Sequence, residues 1–178
     1  MLGDLILDGW LSVKGLRVCE LGAGAAFPSL ACSRVGARFV VATDYPSEPL
    51  ISNIDKNIRT NSCSDIAAMG HLWGDPISEL EQKSGGAFDL IIMADTLWRA
   101  EGHADLIQSL DRLSNAKARV VVAYMDHDVD GRVSKSFFAQ CLSVFEIVEE
   151  KQVDWSEGQS DYYGDVFIRV LRRKTPSQ

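Results

Sequence analysis

Two glycines that follow a short apolar run are the first residues whose spacing suggests chemistry. They lie in "VCELGAGAAFPSLA", from Val18 to Ala31, just before a segment of helical character. Gly22 and Gly24 lack a Cβ, so the backbone can turn tightly there and approach a ligand closely. Asp44 ends the next apolar run, twenty residues after Gly24. A carboxylate at that position can accept both hydroxyl hydrogens of a ribose, so the pair of motifs predicts a ribose-bearing ligand.

The residues around the glycines narrow the kind of ligand. Glu20 directly precedes them, where its carboxylate either orients the loop or meets a cationic group. A dinucleotide site favours a third glycine that packs the helix against the strand, and Phe27 occupies that place. The sequence therefore disfavours a pyrophosphate cofactor and, with it, a nicotinamide-dinucleotide oxidoreductase.

The elements that must position these residues alternate along the chain. Apolar spacing predicts helices near residues 2–10, over 25–35, from an N-cap at Ser47, over 103–113 and over 131–142. Apolar runs predict strands at residues 16–21, 39–44, 66–73, 88–98, 118–125, 145–153 and 165–173, and residues 81–87 are predicted to be a loop.

This order predicts an α/β fold with a mostly parallel, doubly wound sheet of seven strands. The last two strands have only "DWSEGQSDYYG" between them, which is too short for a helical crossover, so we expect an antiparallel C-terminal hairpin. Residues 1–178 are predicted to form a single domain. Ligands of such sheets lie outside the carboxyl ends of the strands, where the glycine loop would be.

The bulk properties exclude several classes of function. The chain has 178 residues, 46% apolar, and a net charge of −7, which makes a nucleic acid an unfavourable main partner. No apolar run has membrane-spanning length, and the first residues lack the basic region of a signal peptide. The four cysteines have no zinc-site spacing, so no metal is predicted. Cys19 and Cys32 are expected in the core, and a reducing, cytoplasmic compartment fits.

Four motifs together resemble a known family. "VCELGAGAAFPSLA", "VVATDYP", "HLWGD" and "FDLIIMADTLW" are similar to the successive motifs of the Rossmann-like seven-strand S-adenosylmethionine-dependent methyltransferases. More narrowly, they resemble the small protein-lysine methyltransferases long labelled nicotinamide N-methyltransferase-like. Within that group "TDYP" and a following "LI-N---N" helix are similar to the elongation factor 1-alpha N-methyltransferase branch.

The resemblance implies a role for each matching position. S-adenosylmethionine would be the cofactor, with the glycine loop under its methionine part, an acid on its ribose, two aromatic residues at its adenine and a small residue late in the fourth strand beside it. These positions are Gly22, Ala23, Gly24, Asp44, Tyr45, Trp73 and Ala94. Glu20, directly before the loop, is counted with them as a cofactor-binding residue. A core or rim aromatic is the alternative interpretation of Trp73.

The implied reaction is transfer of the methyl group to a lysine nitrogen, and Asp95 is the residue we expect to position that lysine. The alternative is that Asp95 caps a helix or is a solvated acid. Trp98, Tyr124 and His127 follow the fourth and fifth strands and are expected to wall the lysine pocket. A solvated turn is the alternative for His127.

The partner implied by the resemblance is a basic, lysine-bearing protein such as a translation elongation factor. Family members carry residues upstream of the N-terminal helix, including a tryptophan that closes the cofactor pocket, and Met1 begins after them. We therefore expect weaker cofactor binding, or self-association through the uncapped N-terminal side. Two alternatives remain open: a small-molecule N-methyltransferase and a non-catalytic module of the same fold.

Overall fold

Seven strands of the described residues join in one sheet in this computed structural model, which describes residues 1–128, 130–153 and 165–174. They are β1 (Arg17–Leu21), β2 (Phe39–Asp44), β3 (Ile66–Gly70), β4 (Phe88–Ala94), β5 (Ser114–Tyr124), β6 (Phe145–Val153) and β7 (Val166–Arg173). Their order is β3-β2-β1-β4-β5-β7-β6. β1 to β5 pair in parallel, whereas β7 is antiparallel to both β5 and β6. The predicted fold class and terminal hairpin are confirmed, and the predicted connection at residues 154–164 lies outside the described residues.

Six helices of the described residues cover this sheet. They are α1 (Leu2–Leu7), α2 (Phe27–Arg34), α3 (Glu48–Thr60), α4 (Ser78–Ser84), α5 (His103–Leu113) and α6 (Arg132–Cys141), and a short 3-10 turn spans Ala100–Gly102. Residues of α1, α2 and α3 pack in one apolar cluster, and residues of α4, α5 and α6 pack in a second one. Each face of the sheet therefore has its own core.

The central strand β4 shows why both faces are covered. Leu90 and Ile92 belong to one cluster, Ile91 and Met93 belong to the other, and all four are fully buried. Successive side chains of a strand point to opposite faces, so a run without polar interruption requires helices on both. The predicted burial of Cys19 and Cys32 is confirmed, since both thiols lie in these cores.

Several predicted boundaries are wrong, each for a local reason. The prediction of a loop at 81–87 fails because α4 continues to Ser84 and ends at Gly85, which has left-handed backbone. The prediction that β4 reaches residue 98 fails because the strand ends at Ala94, since Asp95 has a φ of +56° that no strand accommodates. α2 begins at Phe27 rather than residue 25 because Ala26, with φ +60°, precedes it in the left-handed region.

Other strand ends differ in the same way. β3 ends at Gly70 rather than at the predicted residue 73, and β5 begins at Ser114, four residues before the predicted start at 118. The early start of β5 coincides with an irregular register against β4. No helix in the described ranges combines the length and apolar character that crossing a membrane requires.

The sheet has a point where its strand order reverses, between β1 and β4. Connections from β1 lead to β2 on one side, and those from β4 lead to β5 on the other. The carboxyl ends of these parallel strands meet at one edge, and a crevice forms where the two connections diverge. The glycine loop, Asp44 and Asp95 all follow strands at that edge.

Candidate functional site

The glycine loop is tied to the end of β2 by hydrogen bonds. The N–H of Ala23 donates to the carbonyl of Thr43 at 2.8 Å, and the N–H of Gly24 donates to Asp44 Oδ2 at 2.7 Å. Asp44 Oδ1 accepts the N–H of Tyr45 at 2.7 Å. Sequence reasoning brought Gly24 and Asp44 to one site but missed this bond, through which the acid also shapes the loop.

The two glycines are needed for different reasons. Gly22 has φ +69°, and a Cβ there would lie 2.7 Å from Cγ2 of the buried Thr96. Gly24 has φ +54°, but a Cβ there would have no atom within 4 Å. The backbone at Gly22 therefore lies close to the side chain of Thr96, whereas the space beside Gly24 is open.

Glu20 is buried behind the loop rather than exposed to the crevice. Only 1% of its surface is accessible, and Oε2 accepts hydrogen bonds from the N–H and the hydroxyl of Ser29, at 3.0 and 2.5 Å. Ser29 is in the first turn of α2, so the carboxyl group fixes the start of that helix. Burial raises the pKa of Glu20 to about 8, which keeps it largely protonated at neutral pH. Of the two predicted roles for Glu20, this geometry supports orientation of the loop.

A cavity of about 400 Å³ opens beside the loop at this edge of the sheet. Four of the predicted cofactor residues line it, together with two further aromatic or charged neighbours: Gly22, Asp44, Tyr45, Trp73, Trp98 and Arg99. Tyr45 is 61% exposed and Trp98 is 64% exposed, so both rings offer free surface to a ligand. The four remaining predicted cofactor residues lie elsewhere: Ala94 lines a second cavity, whereas Glu20, Ala23 and Gly24 line neither cavity.

Trp73 is half-buried between the loop and α5. A Cβ added at Gly102 would lie 3.2 Å from the indole, and a Cβ added at Gly22 would lie 3.7 Å from it. Because two glycines leave room for the ring, its outer face remains at the cavity. Trp73 lines the cavity, and its packing against the second core shows that it also has a structural part.

A buried hydroxyl on α5 supports the segment that carries Trp73. Ser109 Oγ lies 3.0 Å from His71 Nε2 and accepts the N–H of Gly74 at 2.9 Å. These two residues flank Trp73 in the chain, so one side chain anchors both sides of the indole. Burial lowers the pKa of His71, which favours the neutral imidazole in this contact. Sequence reasoning missed Ser109, since a serine on a helix carries no signal of its own.

A second cavity, of about 340 Å³, includes the end of β4 in its lining. Its walls come from α1, the start of α2 and the ends of β4, β5 and β7, and they are mostly apolar: Met1, Leu2, Phe27, Pro28, Ala94, Tyr124, Met125 and Val166. Asp95 is the carboxylate in this lining. An apolar cavity with one acid suits an aliphatic chain that ends in a positive charge.

Tyr124 forms a rigid part of that wall. Its ring stacks on Phe167 with centroids 5.5 Å apart and packs against Phe138 at 5.1 Å. Burial raises the pKa of its hydroxyl above the ordinary value, so the phenol stays neutral.

Asp95 pairs with His127 across the ends of β4 and β5. Its Oδ1 lies 2.6 Å from His127 Nε2, and the two side chains are 59% and 45% exposed. The helix-cap alternative for Asp95 is wrong, because the next helical residue is Ala100. His127 lines a smaller cavity of about 100 Å³ with Trp98 and Met125, so the predicted wall residues Trp98, Tyr124 and His127 belong to three adjoining cavities.

Comparison with known proteins identifies similar chains. The family described as "Lysine methyltransferase" matches residues 7–144. The protein N-terminal and lysine N-methyltransferase EFM7 of Yarrowia lipolytica is 36% identical over 134 residues, which are 65% of this chain and 49% of that protein. Its counterpart in Schizosaccharomyces pombe is 36% identical over 124 residues, again 65% of this chain and 49% of the relative. The chain thus spans about half the length of the curated relatives it matches.

Solved structures with the same fold cover nearly the whole chain. A ribosomal protein L11 methylase from Lactobacillus delbrueckii has a TM-score of 0.68 and 24% identity, over 98% of this chain and 78% of that one. A magnesium protoporphyrin IX methyltransferase from Synechocystis, solved with bound SAH, has a TM-score of 0.67 and 18% identity, over 97% and 80% of the two chains. At these identities the likeness establishes the fold.

Proposed function

Because this chain belongs to the lysine methyltransferase family, we propose that it transfers a methyl group from S-adenosylmethionine to the amine of a lysine in a protein. One observation carries the proposal: two cavities open at the carboxyl edge of the sheet, one lined by an acid and aromatic rings and the other apolar with a carboxylate. The first suits a nucleoside and the second suits an aliphatic amine. Methyl transfer requires that two such ligands meet, which this arrangement allows.

The residues of the larger cavity fit the cofactor. Its volume of about 400 Å³ is within the range of small-molecule sites, roughly 300–1,000 Å³. Each oxygen of Asp44 accepts one backbone N–H, and a carboxylate offers about four lone-pair positions, so acceptors remain for ribose hydroxyls. The exposed face of Trp73 offers a flat surface for adenine, beside Tyr45. The open space at Gly24 leaves room for the methionine part.

The cofactor supplies an activated methyl group on a positively charged sulfur. The chain's own residues then have two tasks, which are to place the amine in line with that group and to favour its neutral form. Asp95 accepts a hydrogen bond from the lysine nitrogen, and the apolar wall around Ala94 and Tyr124 lowers the pKa of the lysine. The proton that the ammonium group loses passes to water, to which Asp95 is exposed. The names of the relatives include N-terminal as well as lysine methylation, and the mostly apolar lining of the second cavity suits the aliphatic side chain of lysine.

The partner in this proposal is a basic protein. The net charge of −7 attracts a lysine-rich surface, and exposed acids such as Asp95, Glu101 and Asp105 surround the two cavities. We also propose that residues 1–178 form a single domain, since strands from Arg17 to Arg173 join one sheet. The four free cysteines support a reducing compartment such as the cytoplasm.

Calorimetric titration with S-adenosylhomocysteine tests the cofactor site. We expect micromolar binding by the wild-type chain, a loss of at least about tenfold in affinity for Asp44→Ala, and a smaller loss for Asp44→Asn, whose amide oxygen still accepts the N–H of Gly24. Asp55→Ala is the matched control, because Asp55 pairs with Arg59 on α3 and lines neither cavity. Equal binding by wild type and Asp44→Ala would place the cofactor elsewhere.

Methyl transfer is tested by adding the wild-type chain or Asp95→Ala, with methyl-labelled S-adenosylmethionine, to an extract of cytosolic proteins. Label recovered as methyl-lysine after acid hydrolysis, and absent with Asp95→Ala, supports the proposed reaction. Label in a small molecule instead would favour the alternative of a small-molecule N-methyltransferase.

A further inference from the structure

The contact between Asp95 and His127 lies where two cavities adjoin. Asp95 lines the apolar cavity, His127 lines the smaller one, and Met125 lines both. We propose that His127 is a positioning residue for the methyl acceptor, which holds the Asp95 carboxylate where it binds the nitrogen of an aliphatic amine. The inference rests on the proposed function, because the amine is the lysine of that reaction.

The backbone of Asp95 is fixed in an unusual conformation. Its φ of +56° lies in the left-handed region, which costs a residue other than glycine roughly 1–2 kcal/mol. Its N–H donates to the carbonyl of Ala123 at 2.8 Å, which ties the end of β4 to the end of β5. Strained backbone of this kind persists where the surroundings determine it, and it is typical of functional sites. Here it directs the carboxylate toward the adjoining cavities.

His127 is presented by a loop whose neighbours are anchored to α6. Asp126 Oδ1 accepts the hydroxyl of Ser134, and Asp128 Oδ2 accepts the N–H of Arg132 at 2.7 Å. Both acids beside the imidazole are therefore engaged with the first turn of α6. The histidine between them contacts Asp95 at 2.6 Å, so two anchored segments bring the pair together.

The pair leaves one carboxylate oxygen for a ligand. Oδ1 of Asp95 contacts His127, and Oδ2 has no hydrogen-bond partner among the residues that the structure describes. A primary amine that enters along the apolar wall would place its aliphatic chain against Tyr124 and Met125 and its nitrogen at Oδ2. The imidazole restricts rotation of the carboxylate. His127 therefore contributes to amine binding only by orienting Asp95.

A double-mutant cycle tests this dependence. The probe is Nα-acetyl-L-lysine N-methylamide, titrated by calorimetry into the chain saturated with S-adenosylhomocysteine. We expect Asp95→Asn to weaken probe binding by about tenfold and His127→Ala to weaken it by about fivefold. In the Asp95→Asn background, His127→Ala is expected to have no further effect. His127→Gln, which keeps a donor at the end of the side chain, is expected to restore most of the affinity.

The controls separate this inference from a change in fold. Asp130→Asn removes an acid of the same loop that pairs with Arg132, and it is expected to leave probe affinity unchanged. None of the His127 variants is expected to change the affinity for S-adenosylhomocysteine.

Three results would overturn the proposal: no binding of the probe, an unchanged affinity in His127→Ala, or the same fivefold loss in both backgrounds. Failure of S-adenosylhomocysteine to bind would contradict the proposed function instead. In that case titration of the probe into the chain alone still measures the cycle.

Discussion

At the scale of single residues, alanine substitutions at Gly24 and Gly22 are expected to have different effects, although the two glycines belong to one motif. Gly24→Ala meets no atom, so it is expected to cost only the roughly 1–2 kcal/mol of left-handed backbone while reducing affinity for S-adenosylhomocysteine by at least about tenfold. Gly22→Ala would in addition clash with Thr96, which raises the loss of stability by a further 1–3 kcal/mol or so. Urea unfolding and calorimetric titration measure the two quantities.

Gly15→Ala provides the matched control for Gly24. Gly15 has φ +76° and a Cβ added there would have no atom within 4 Å, as at Gly24, but it precedes β1 and so lies at the opposite end of that strand from the glycine loop. It should lose as much stability as Gly24→Ala with no change in affinity. If Gly24→Ala binds the ligand as well as Gly15→Ala does, the ligand does not pass over the loop.

The burial of Glu20 is expected to make the stability of the fold depend on pH. Burial raises its folded pKa from an ordinary 4.5 to about 8, so between these values the folded state binds more protons than the unfolded state. The free energy of unfolding must therefore fall as pH rises from about 5 to 8, at roughly 1 kcal/mol per pH unit, and level off above pH 8.

Glu20→Gln isolates this contribution from those of other groups. The amide oxygen still accepts the N–H of Ser29, but the side chain cannot ionise. We expect the difference in stability between the variant and the wild type to grow in the variant's favour from pH 6 to pH 8, as followed by urea unfolding. Glu79→Gln, on an exposed acid of α4, should show no such trend. A constant difference for Glu20→Gln would mean that Glu20 is ionised throughout.

How far the sequence predicts this site depends on the type of interaction. The glycines follow β1 and Asp44 ends β2, so the sequence pattern alone assigns both to strand ends. Their proximity follows because these two strands are neighbours in the sheet. The contact between Asp95 and His127 joins residues 32 apart through the ends of two strands, so no local spacing indicates it. Phe27, in the place of a third glycine, is explained by the ring's contact with Gly3 of α1, where a Cβ would lie 2.6 Å away.

At the scale of elements, the segment between β3 and α4 depends on α5. Ser109→Ala removes the hydroxyl that contacts both His71 and Gly74, and it leaves a buried imidazole and a half-buried backbone N–H without that partner. We expect a loss of about 1–3 kcal/mol in stability and a several-fold loss in affinity for S-adenosylhomocysteine, because Trp73 lies between the two anchored residues. Ser136→Ala, on the exposed side of α6, is the control for both measurements. Unchanged affinity in Ser109→Ala would show that Trp73 is held by its packing alone.

Elements with a strong apolar period are predictable from the sequence, and those without one are not. α5 follows its predicted span because Leu106, Leu110 and Leu113 repeat at helical spacing and are buried. α4 buries only Leu80 and Ser84 in seven residues, so its sequence has no apolar period, and the glycines that end it favour a loop. Strand ends are overestimated where apolar residues continue past a turn in the backbone, as after Ala94.

At the scale of the whole molecule, the sheet separates two apolar cores, and the central strand β4 contributes side chains to both. Ile91 and Ile92 are adjacent in β4, both fully buried, and belong to opposite clusters. A sheet with one solvated face would make one of the two tolerant of truncation. With helices on both faces, Ile91→Ala and Ile92→Ala should each cost about 2–5 kcal/mol, and the two losses should be similar.

Urea unfolding of both variants, with Val148→Ala as the control, measures this symmetry. Val148 lies on the edge strand β6 and is 47% exposed, so its truncation should cost less than about 0.5 kcal/mol. Ile92 belongs to the same apolar cluster as Leu2 and Ala94, which line the apolar cavity, whereas Ile91 belongs to the other cluster. Ile92→Ala should therefore weaken binding of the amine probe more than Ile91→Ala does. If truncation of either Ile91 or Ile92 cost little stability, that result would contradict the burial of both faces of β4.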